Sequence, residues 1–116
     1  MKEQYLTMEE IPFSDFKKLD IRIGKVISAE KVENTDKLVK LVFDMGDHER
    51  QVVAGIAEIV EDPAELIGKE MPVLINLKPR MLKGEESNGM ILAVNVDGRP
   101  TLMSPEKQVP PGSPIT

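Results

Sequence analysis

One short helix signal, at residues 62–68, interrupts a chain whose other apolar runs have the length of β-strands. Asp62 can cap a helix, Pro63 suits the first helical position, and Gly68 can end the helix. Three apolar runs precede this signal and two follow it; they are residues 20–31, 39–43, 50–54, 71–76 and 90–96. The predicted order of elements is therefore three strands, one short helix and two strands.

This order of elements is that of the OB-fold, a small five-stranded Greek-key barrel. Val39, Leu41 and Phe43 are apolar at every second position of the second run, which is typical of a strand with one buried face. Gly24 interrupts the first run and indicates a bulge or bend in a long, curved strand. An SH3-like barrel is the main alternative, but it does not ordinarily place its helix there. We therefore predict an all-β OB-fold with a short helix between strands 3 and 4 and a C-terminal β extension.

The segment before the predicted barrel domain, residues 1–19, mixes acids with apolar residues. Thr7 and Glu10 fit a capping box, and Pro12 limits any helix to a turn or two. We expect a helical or irregular segment that packs on the barrel, which itself spans residues 20–96.

The segment after the barrel, residues 97–116, begins with the hairpin dipeptide Asp97-Gly98 and continues into a proline-rich tail. Alone, such a tail would be extended and mobile. However, the segment also carries apolar side chains that need cover, namely Leu102, Met103, Val109 and Ile115. We therefore expect this C-terminal hairpin and extension to build a homodimer.

Composition argues against several classes of function. The 116 residues contain no cysteine and one histidine, His48, so neither a thiolate metal site nor a histidine-based catalytic triad is expected. Glu85 and Glu86 form a carboxylate pair, but adjacent side chains in a strand or turn diverge. We expect a non-catalytic domain without metal or cofactor. The sequence has no apolar run of the ~20 residues that cross a bilayer and no signal peptide, so we expect a cytoplasmic protein.

The charge distribution is uneven, although the net charge is −5. Residues 17–40 carry seven cations and four acids, and residues 76–116 carry five cations and four acids. Residues 41–75 instead carry two cations and eight acids. This pattern is consistent with a local basic patch on an acidic body.

The residues between the fourth and fifth predicted strands, 76–89, have the chemistry of a phosphate-binding loop. They gather three cations, two glycines and a proline that holds Lys78 in extended geometry, so that Lys78 and Arg80 project from the same side. OB-folds bind their ligands on strands 2 and 3 and with the loops that join strands 1 to 2 and strands 4 to 5. Those loops correspond to residues 33–37 and 76–89, so we predict that the two basic segments share one face.

Several separate motifs resemble one known family. They are Asp15 to Val26, Asn34 to Leu38, Gln51 to Ile56, and Asn76 to Arg80 followed by Gly84, Glu86-Ser87 and Gly89-Met90. Together they resemble the tRNA-binding domain of the methionyl-tRNA synthetase C-terminal (beta-subunit) type, which also occurs as free-standing tRNA-binding proteins. The resemblance covers residues 13–96. It implies an OB-fold that binds the outer corner of tRNA by shape, without reading an anticodon, as a homodimer and as an accessory of methionyl-tRNA synthetase.

The resemblance also implies a set of binding positions. The family commonly has a lysine directly after the Pro-Arg pair, where this chain has Met81. The next cation of this chain is Lys83. We add Lys83 for its charge and Asn88 for its hydrogen-bonding groups. The predicted tRNA-binding residues are Lys37, Asn76, Lys78, Arg80, Lys83, Ser87, Asn88 and Met90.

A protein-binding role is the alternative function. The same fold includes an export-chaperone-like branch that binds unfolded peptides, and a synthetase assembly factor would also fit the acidic body. Single-strand nucleic-acid binding is disfavoured because that function uses aromatic platforms. The chain has no tryptophan, one tyrosine and three phenylalanines, and the alternation directs Phe43 towards the core.

Overall fold

A computed structural model describes residues 8–116, so the predicted capping residue Thr7 lies outside the described part. In the described part of the chain, one helical turn, α1, precedes the strands, and two short 3-10 helices lie between the third and fourth strands. The elements are α1 (Phe13–Phe16), β1 (Ile21–Lys31), β2 (Val39–Asp44), β3 (Glu49–Ala54), the 3-10 helices Ala57–Ile59 and Pro63–Leu66, β4 (Glu70–Leu74), β5 (Arg80–Leu82), β6 (Glu85–Ser87), β7 (Met90–Ile91), β8 (Ala93–Val96) and β9 (Arg99–Leu102).

The strands β3, β2, β1, β4 and β7 form one antiparallel sheet, in that order. The long strand β1 serves two neighbours, because residues 25–31 pair with β2 whereas residues 21–25 pair with β4. A register shift between Val26 and Ser28 bends β1 as the sheet curls into a nearly closed barrel. The predicted OB-fold is confirmed.

The barrel core is built from the inward positions of the alternating strands. Leu41, Phe43, Val52 and Val73 have no exposed surface. A Cβ added at Gly24 would lie 2.8 Å from the sulfur of Met45 and 2.8 Å from the Phe43 ring. Gly24 is therefore required by close packing, while the bulge lies a few residues further along β1.

The predicted helix at residues 62–68 is confirmed as a single 3-10 turn, Pro63–Leu66. The carboxylate of Asp62 accepts a hydrogen bond of 3.0 Å from the amide of Ala64. Leu66 is 2% exposed. Gly68 follows with a φ of +91° and donates its amide to the oxygen of Val26 at 2.8 Å. The helix therefore closes one end of the core and is tied to the middle of β1.

The predicted fifth strand, residues 90–96, is divided at Leu92. β7 belongs to the barrel sheet, whereas β8 pairs with β9 in a separate hairpin. The turn of that hairpin is Asp97-Gly98, with φ values of +51° and +83°, as the dipeptide predicts. The C-terminal β extension is thus a two-stranded ribbon that continues directly from the barrel.

The C-terminal tail does not extend freely, contrary to its composition. Its main chain pairs with the first half of β1: Ile23 donates to the oxygen of Ser113 at 2.9 Å, and Ile115 donates to the oxygen of Ile21 at 2.8 Å. The amide of Val109 also donates to the buried carboxylate of Glu70 at 3.0 Å. Main-chain hydrogen bonds to the unpaired edge of β1 therefore hold in place a tail that its proline content alone would leave mobile. Within the described residues, no helix is long and apolar enough to cross a membrane.

Candidate nucleic-acid interface

The segment predicted as a long loop, residues 76–89, contains a β-hairpin. Arg80 pairs with Ser87 and Leu82 with Glu85, and the turn is Lys83-Gly84. Both turn residues have positive φ, +51° and +83°, which is the geometry of a two-residue hairpin. The prediction of a loop was therefore wrong for its central part, and Arg80 and Lys83 are carried on a β-hairpin.

The return strand of this hairpin is joined to the barrel through Ser87. The side chain of Ser87 is 2% exposed. Its hydroxyl accepts a hydrogen bond of 3.0 Å from the amide of Val53 and donates one of 3.1 Å to the oxygen of Gly89. In addition, the amide of Asn88 donates to the oxygen of Gln51 at 2.8 Å. Ser87, which the sequence predicts as a tRNA contact, is thus engaged in closing the barrel between β3 and β6.

Arg50 on β3 holds both ends of the hairpin segment. Its guanidinium donates to the oxygen of Ile75 at 3.3 Å and to the oxygen of Asn88 at 2.9 Å. A third contact runs from its Nε to Nε2 of His48 at 3.3 Å. Sequence reasoning missed Arg50, because its partners are main-chain oxygens 25 and 38 positions away and leave no local signal.

Asn76 fixes the start of the hairpin segment to the chain just before β1. Its Oδ1 accepts a hydrogen bond of 2.9 Å from the amide of Asp20, and its Nδ2 donates one of 2.6 Å to the oxygen of Lys18. Asn76 is exposed, but its amide group already has these two partners. Like Ser87, it has a positioning role in the structure.

Lys40 on β2 links the hairpin to the barrel electrostatically. Its ammonium lies 3.1 Å from the carboxylate of Glu30 and 3.5 Å from that of Glu85. The hydrogen bond to Glu30 and the nearby charge of Glu85 raise the pKa of Lys40. Near the same site, a cleft lined by Asn34, Lys83 and other residues lies between the hairpin and the β1–β2 connection. The two predicted loops therefore do meet on one side of the barrel.

Four exposed cations belong to these two segments, and we call them the basic face: Lys37, Lys78, Arg80 and Lys83. Among residues 8–116, none of these four forms an ion pair, whereas Lys18, Arg22 and Lys40 each lie close to a carboxylate. The main-chain oxygen of Lys37 accepts a hydrogen bond of 2.9 Å from Ala57, which ties the end of the β1–β2 connection to the chain after β3. The basic face can therefore bind anions without first breaking internal ion pairs.

A second cleft, of about 230 Å³, lies beside Arg80. It runs between the chain just after β3 and the start of β7, and we call it the Gly55 cleft. Met90 on its edge is 41% exposed. The residues that line the Gly55 cleft are Val53, Ala54, Gly55, Ile56, Arg80, Gly89, Met90, Ile91, Ala93 and Pro100.

An acidic corner lies at the turn between β2 and β3. Nδ1 of His48 lies 2.6 Å from the carboxylate of Asp47, and this hydrogen bond lowers the pKa of Asp47. Nε2 of His48 accepts a hydrogen bond of 3.3 Å from Nε of Arg50. In the described part of the chain, no group of three or more His, Cys, Asp or Glu side chains could hold a metal ion.

The sequence matches the family described as "Putative tRNA binding domain" over residues 21–114, which include the whole barrel and the basic face. The chain belongs to this tRNA-binding domain family. The chain is also similar to part of the methionine–tRNA ligase of Archaeoglobus fulgidus, with 56% identity over 105 residues. That match spans 90% of this chain but only 16% of the ligase, so the chain corresponds to a small part of such an enzyme.

Two solved structures are similar to this tRNA-binding domain along nearly its full length. The MetRS-related protein of Pyrococcus horikoshii has a TM-score of 0.88 and 37% identity, and the match covers 94% of this chain and 100% of that one. The chaperone CsaA of Bacillus anthracis has a TM-score of 0.83 and 30% identity, with 93% and 100% covered. The same architecture thus occurs in a protein related to a synthetase and in a protein named as a chaperone.

Proposed function

We propose that this tRNA-binding domain recognises the folded shape of tRNA, at its outer corner and without sequence specificity, through the basic face. The observation that carries the proposal is the hairpin β5–β6, which presents exposed cations that form no ion pair within residues 8–116 and is hydrogen-bonded to the barrel at both ends. A fixed arrangement of cations suits the fixed spacing of phosphates in a folded RNA. It also avoids the entropy that a mobile basic loop would lose on binding.

The predicted contact residues divide into two groups under this proposal. Lys37, Lys78, Arg80 and Lys83 bind phosphates, while Asn88 and Met90, which lie beside them, contact sugars or bases. Asn76 and Ser87 act indirectly, because their side chains already hold the hairpin in place.

Shape recognition is favoured over single-strand binding by the position of the aromatic residues. Within residues 8–116, the phenylalanines are Phe13 and Phe16 of α1 and Phe43 of the core, and none of them lines the clefts of the basic face. Proteins that bind single strands stack successive bases on aromatic rings. Within the described residues, a run of unpaired bases would therefore find no such platform.

We further propose that the domain serves as a non-catalytic accessory of methionyl-tRNA synthetase, either as part of a longer chain or as a separate beta-subunit. The support is the sequence similarity of the domain to a small portion of a methionine–tRNA ligase, with 56% identity over 105 residues. The domain would raise the affinity of the synthetase for tRNA in general, and the synthetase would supply amino-acid and anticodon specificity. tRNA and methionyl-tRNA synthetase are thus its proposed partners.

The proposed homodimer is supported by exposed apolar side chains on β8 and on the C-terminal segment, residues 97–116. Val94 and Val96 of β8 are 46% and 51% exposed, and Met103 and Ile115 are also exposed. Exposed large apolar side chains that gather into a patch commonly mark a protein interface, and we infer that these four contribute to one. A second copy of the chain would cover them in a two-fold arrangement.

Competition binding tests the proposed class of ligand. Labelled tRNA bound to the domain is titrated with unlabelled tRNA, with a simple RNA hairpin and with a single-stranded RNA of the same length as tRNA. All three titrations use the same salt concentration, because affinities measured at different salt concentrations cannot be compared. We expect tRNA to compete best and the single strand worst. Equal competition by all three RNAs would contradict shape recognition.

The second candidate function is peptide binding, favoured by the similarity to the chaperone CsaA. An unfolded peptide would bind an apolar groove and would not need the basic face. The two functions separate in one experiment, because tRNA binding must weaken steeply with salt while apolar peptide binding must not. Binding of unfolded peptides with no measurable binding of tRNA would favour the second candidate.

A further inference from the structure

The Gly55 cleft has a composition that phosphate binding alone does not explain. Apart from the guanidinium of Arg80, the side chains that line it are apolar, and they include Ile56, Ile91 and Ala93. Apolar side chains offer neither charge nor hydrogen-bond donors to a phosphate group. The cleft is nevertheless continuous with the basic face, because Arg80 belongs to both.

The cleft is also open where Gly55 lies. A Cβ added at Gly55 would meet no atom within 4 Å, and Gly55 does not have a positive φ. Neither packing nor backbone conformation therefore requires glycine at this position. A glycine that the fold does not need, on the wall of an open cleft, leaves room for a ligand to approach the main chain closely.

The size of the cleft suits one flat ring system. Its volume of about 230 Å³ is below the roughly 300–1,000 Å³ of clefts that hold drug-sized ligands. Unstacked RNA bases are commonly bound between apolar surfaces and the plane of an arginine guanidinium. If a base occupies the cleft, the phosphate of the same nucleotide would lie within reach of the cations of the basic face.

We propose that the Gly55 cleft receives one unpaired, unstacked nucleobase of the bound RNA. The face of the Arg80 guanidinium lies against the base while its N–H groups still bind the adjoining phosphate. Met90 packs at the edge of the base, and the space above Gly55 allows the ring to enter. This inference rests on the proposed tRNA-binding function and deepens it: the domain requires a folded RNA with an extruded nucleotide near the bound phosphates. Because the lining side chains are apolar, the cleft selects for an unpaired base without selecting strongly among the four bases.

The test uses two RNA hairpins that are identical except at one bulged position. One hairpin carries a nucleotide there and the other carries an abasic sugar-phosphate, so that backbone flexibility and charge are the same. Stacking of one base on an aromatic side chain is worth about tenfold or more in affinity. We expect a gain of the same order from the guanidinium and the apolar walls, so the wild-type domain should bind the base-containing hairpin about tenfold more tightly. Equal affinity for the two hairpins would overturn the proposal.

Two variants fill the cleft from opposite walls without changing its charge. Gly55→Leu and Ala93→Leu are each expected to abolish the preference for the base-containing hairpin while the affinity for the abasic hairpin stays within about twofold of wild type. Thermal unfolding is followed for both variants, and the variant that retains a cooperative transition is used. Preservation of the tenfold preference in a folded variant would overturn the proposal.

Lys78→Ala separates this inference from the proposed function. Lys78 does not line the Gly55 cleft, so its replacement should weaken binding of both hairpins alike and leave their ratio unchanged. If Lys78→Ala weakens both and the wild-type ratio is one, the cleft inference fails while the RNA-binding face stands. If amide chemical shifts at Gly55 and Ala93 respond to an unfolded peptide and not to the base-containing hairpin, the cleft is a peptide site and the proposal is overturned.

Discussion

The guanidinium of Arg50 donates a hydrogen bond of 2.9 Å to the main-chain oxygen of Asn88, the residue directly after the hairpin β5–β6. The same guanidinium reaches the oxygen of Ile75, directly before the hairpin segment, at 3.3 Å. One side chain of the barrel wall thereby fixes both ends of the segment that carries three of the four cations of the basic face. Hydrogen bonds from the barrel thus fix the main chain on either side of the hairpin that carries these cations.

Replacement of Arg50 should loosen this arrangement. In Arg50→Met, the oxygens of Asn88 and Ile75 lose a charged donor, so the free energy of unfolding should fall by about 1.5–3 kcal/mol, and the amides of the hairpin should exchange faster with solvent. Urea denaturation and hydrogen exchange measure these two effects. Arg99→Met is the matched control, since Arg99 is exposed and its guanidinium makes only a 3.5 Å contact with the oxygen of Glu58. Equal stability of the two variants would show that Arg50 does not hold the hairpin.

Ser87→Ala should reduce stability because it leaves the buried amide of Val53 without an acceptor. The expected loss is about 1–3 kcal/mol of unfolding free energy, as for other buried donors that lose their partner. The control is Ser104→Ala, at an exposed position of the C-terminal segment. If Ser87→Ala instead lowers the affinity for tRNA with no change in the urea midpoint, the hydroxyl contacts RNA directly and the positioning role is wrong.

Gly24→Ala should destabilise the barrel by overpacking. The new methyl group would lie 2.8 Å from both the sulfur of Met45 and the ring of Phe43, and overpacking of this kind costs about 1–3 kcal/mol. Gly55→Ala is the control, because the added carbon meets nothing within 4 Å. Comparison of the two thermal midpoints checks the prediction, and a Gly24→Ala midpoint equal to that of the control would contradict it.

The proposed dimer should separate when charge is placed on the exposed face of β8. We expect light scattering at micromolar concentration to give about twice 12.9 kDa for the wild-type chain and one copy for Val96→Lys. Ile27→Lys is the control, since Ile27 is 40% exposed on β1 and lies outside the C-terminal extension. A wild-type chain that scatters as a single copy would contradict the dimer. Deletion of the tail would be a poorer test, because residues 112–115 also pair with β1 of their own chain.

The barrel strands and the helix could be predicted from the sequence because their signals are local. The alternation of Val39, Leu41 and Phe43 and the sequence from Asp62 to Gly68 each act within a few residues. The hairpin at residues 80–87 was missed because its strands have three residues each, without an alternating apolar pattern, and because Lys-Gly is a weaker turn signal than Asn-Gly.

The functions of the polar residues could be predicted only in part. A serine or asparagine in a loop has the same sequence signature whether it contacts a ligand or holds the main chain, and only the three-dimensional distances assign Ser87 and Asn76 to the second role. The docking of the tail on β1 was not predictable either, because it uses main-chain groups that any residue possesses. That the cations of the basic face contact RNA remains a prediction; the structure adds that all four are exposed and that Arg80 and Lys83 lie on a hairpin.

Salt-dependent tRNA binding by the double variant Lys78→Ala, Arg80→Ala is the most direct test of the central claim. If the basic face makes about three or four phosphate contacts per subunit, log affinity should fall with log salt concentration with a slope of about −2 to −4. Loss of two contacts should weaken binding of all tRNAs alike and reduce the slope by about two units. The control is Lys69→Ala, Lys107→Ala, a charge-matched pair at exposed positions that line a different cleft beside Met103. The account predicts a reduced slope for the first variant and an unchanged slope for the control; an unchanged affinity and slope for the first variant would contradict it.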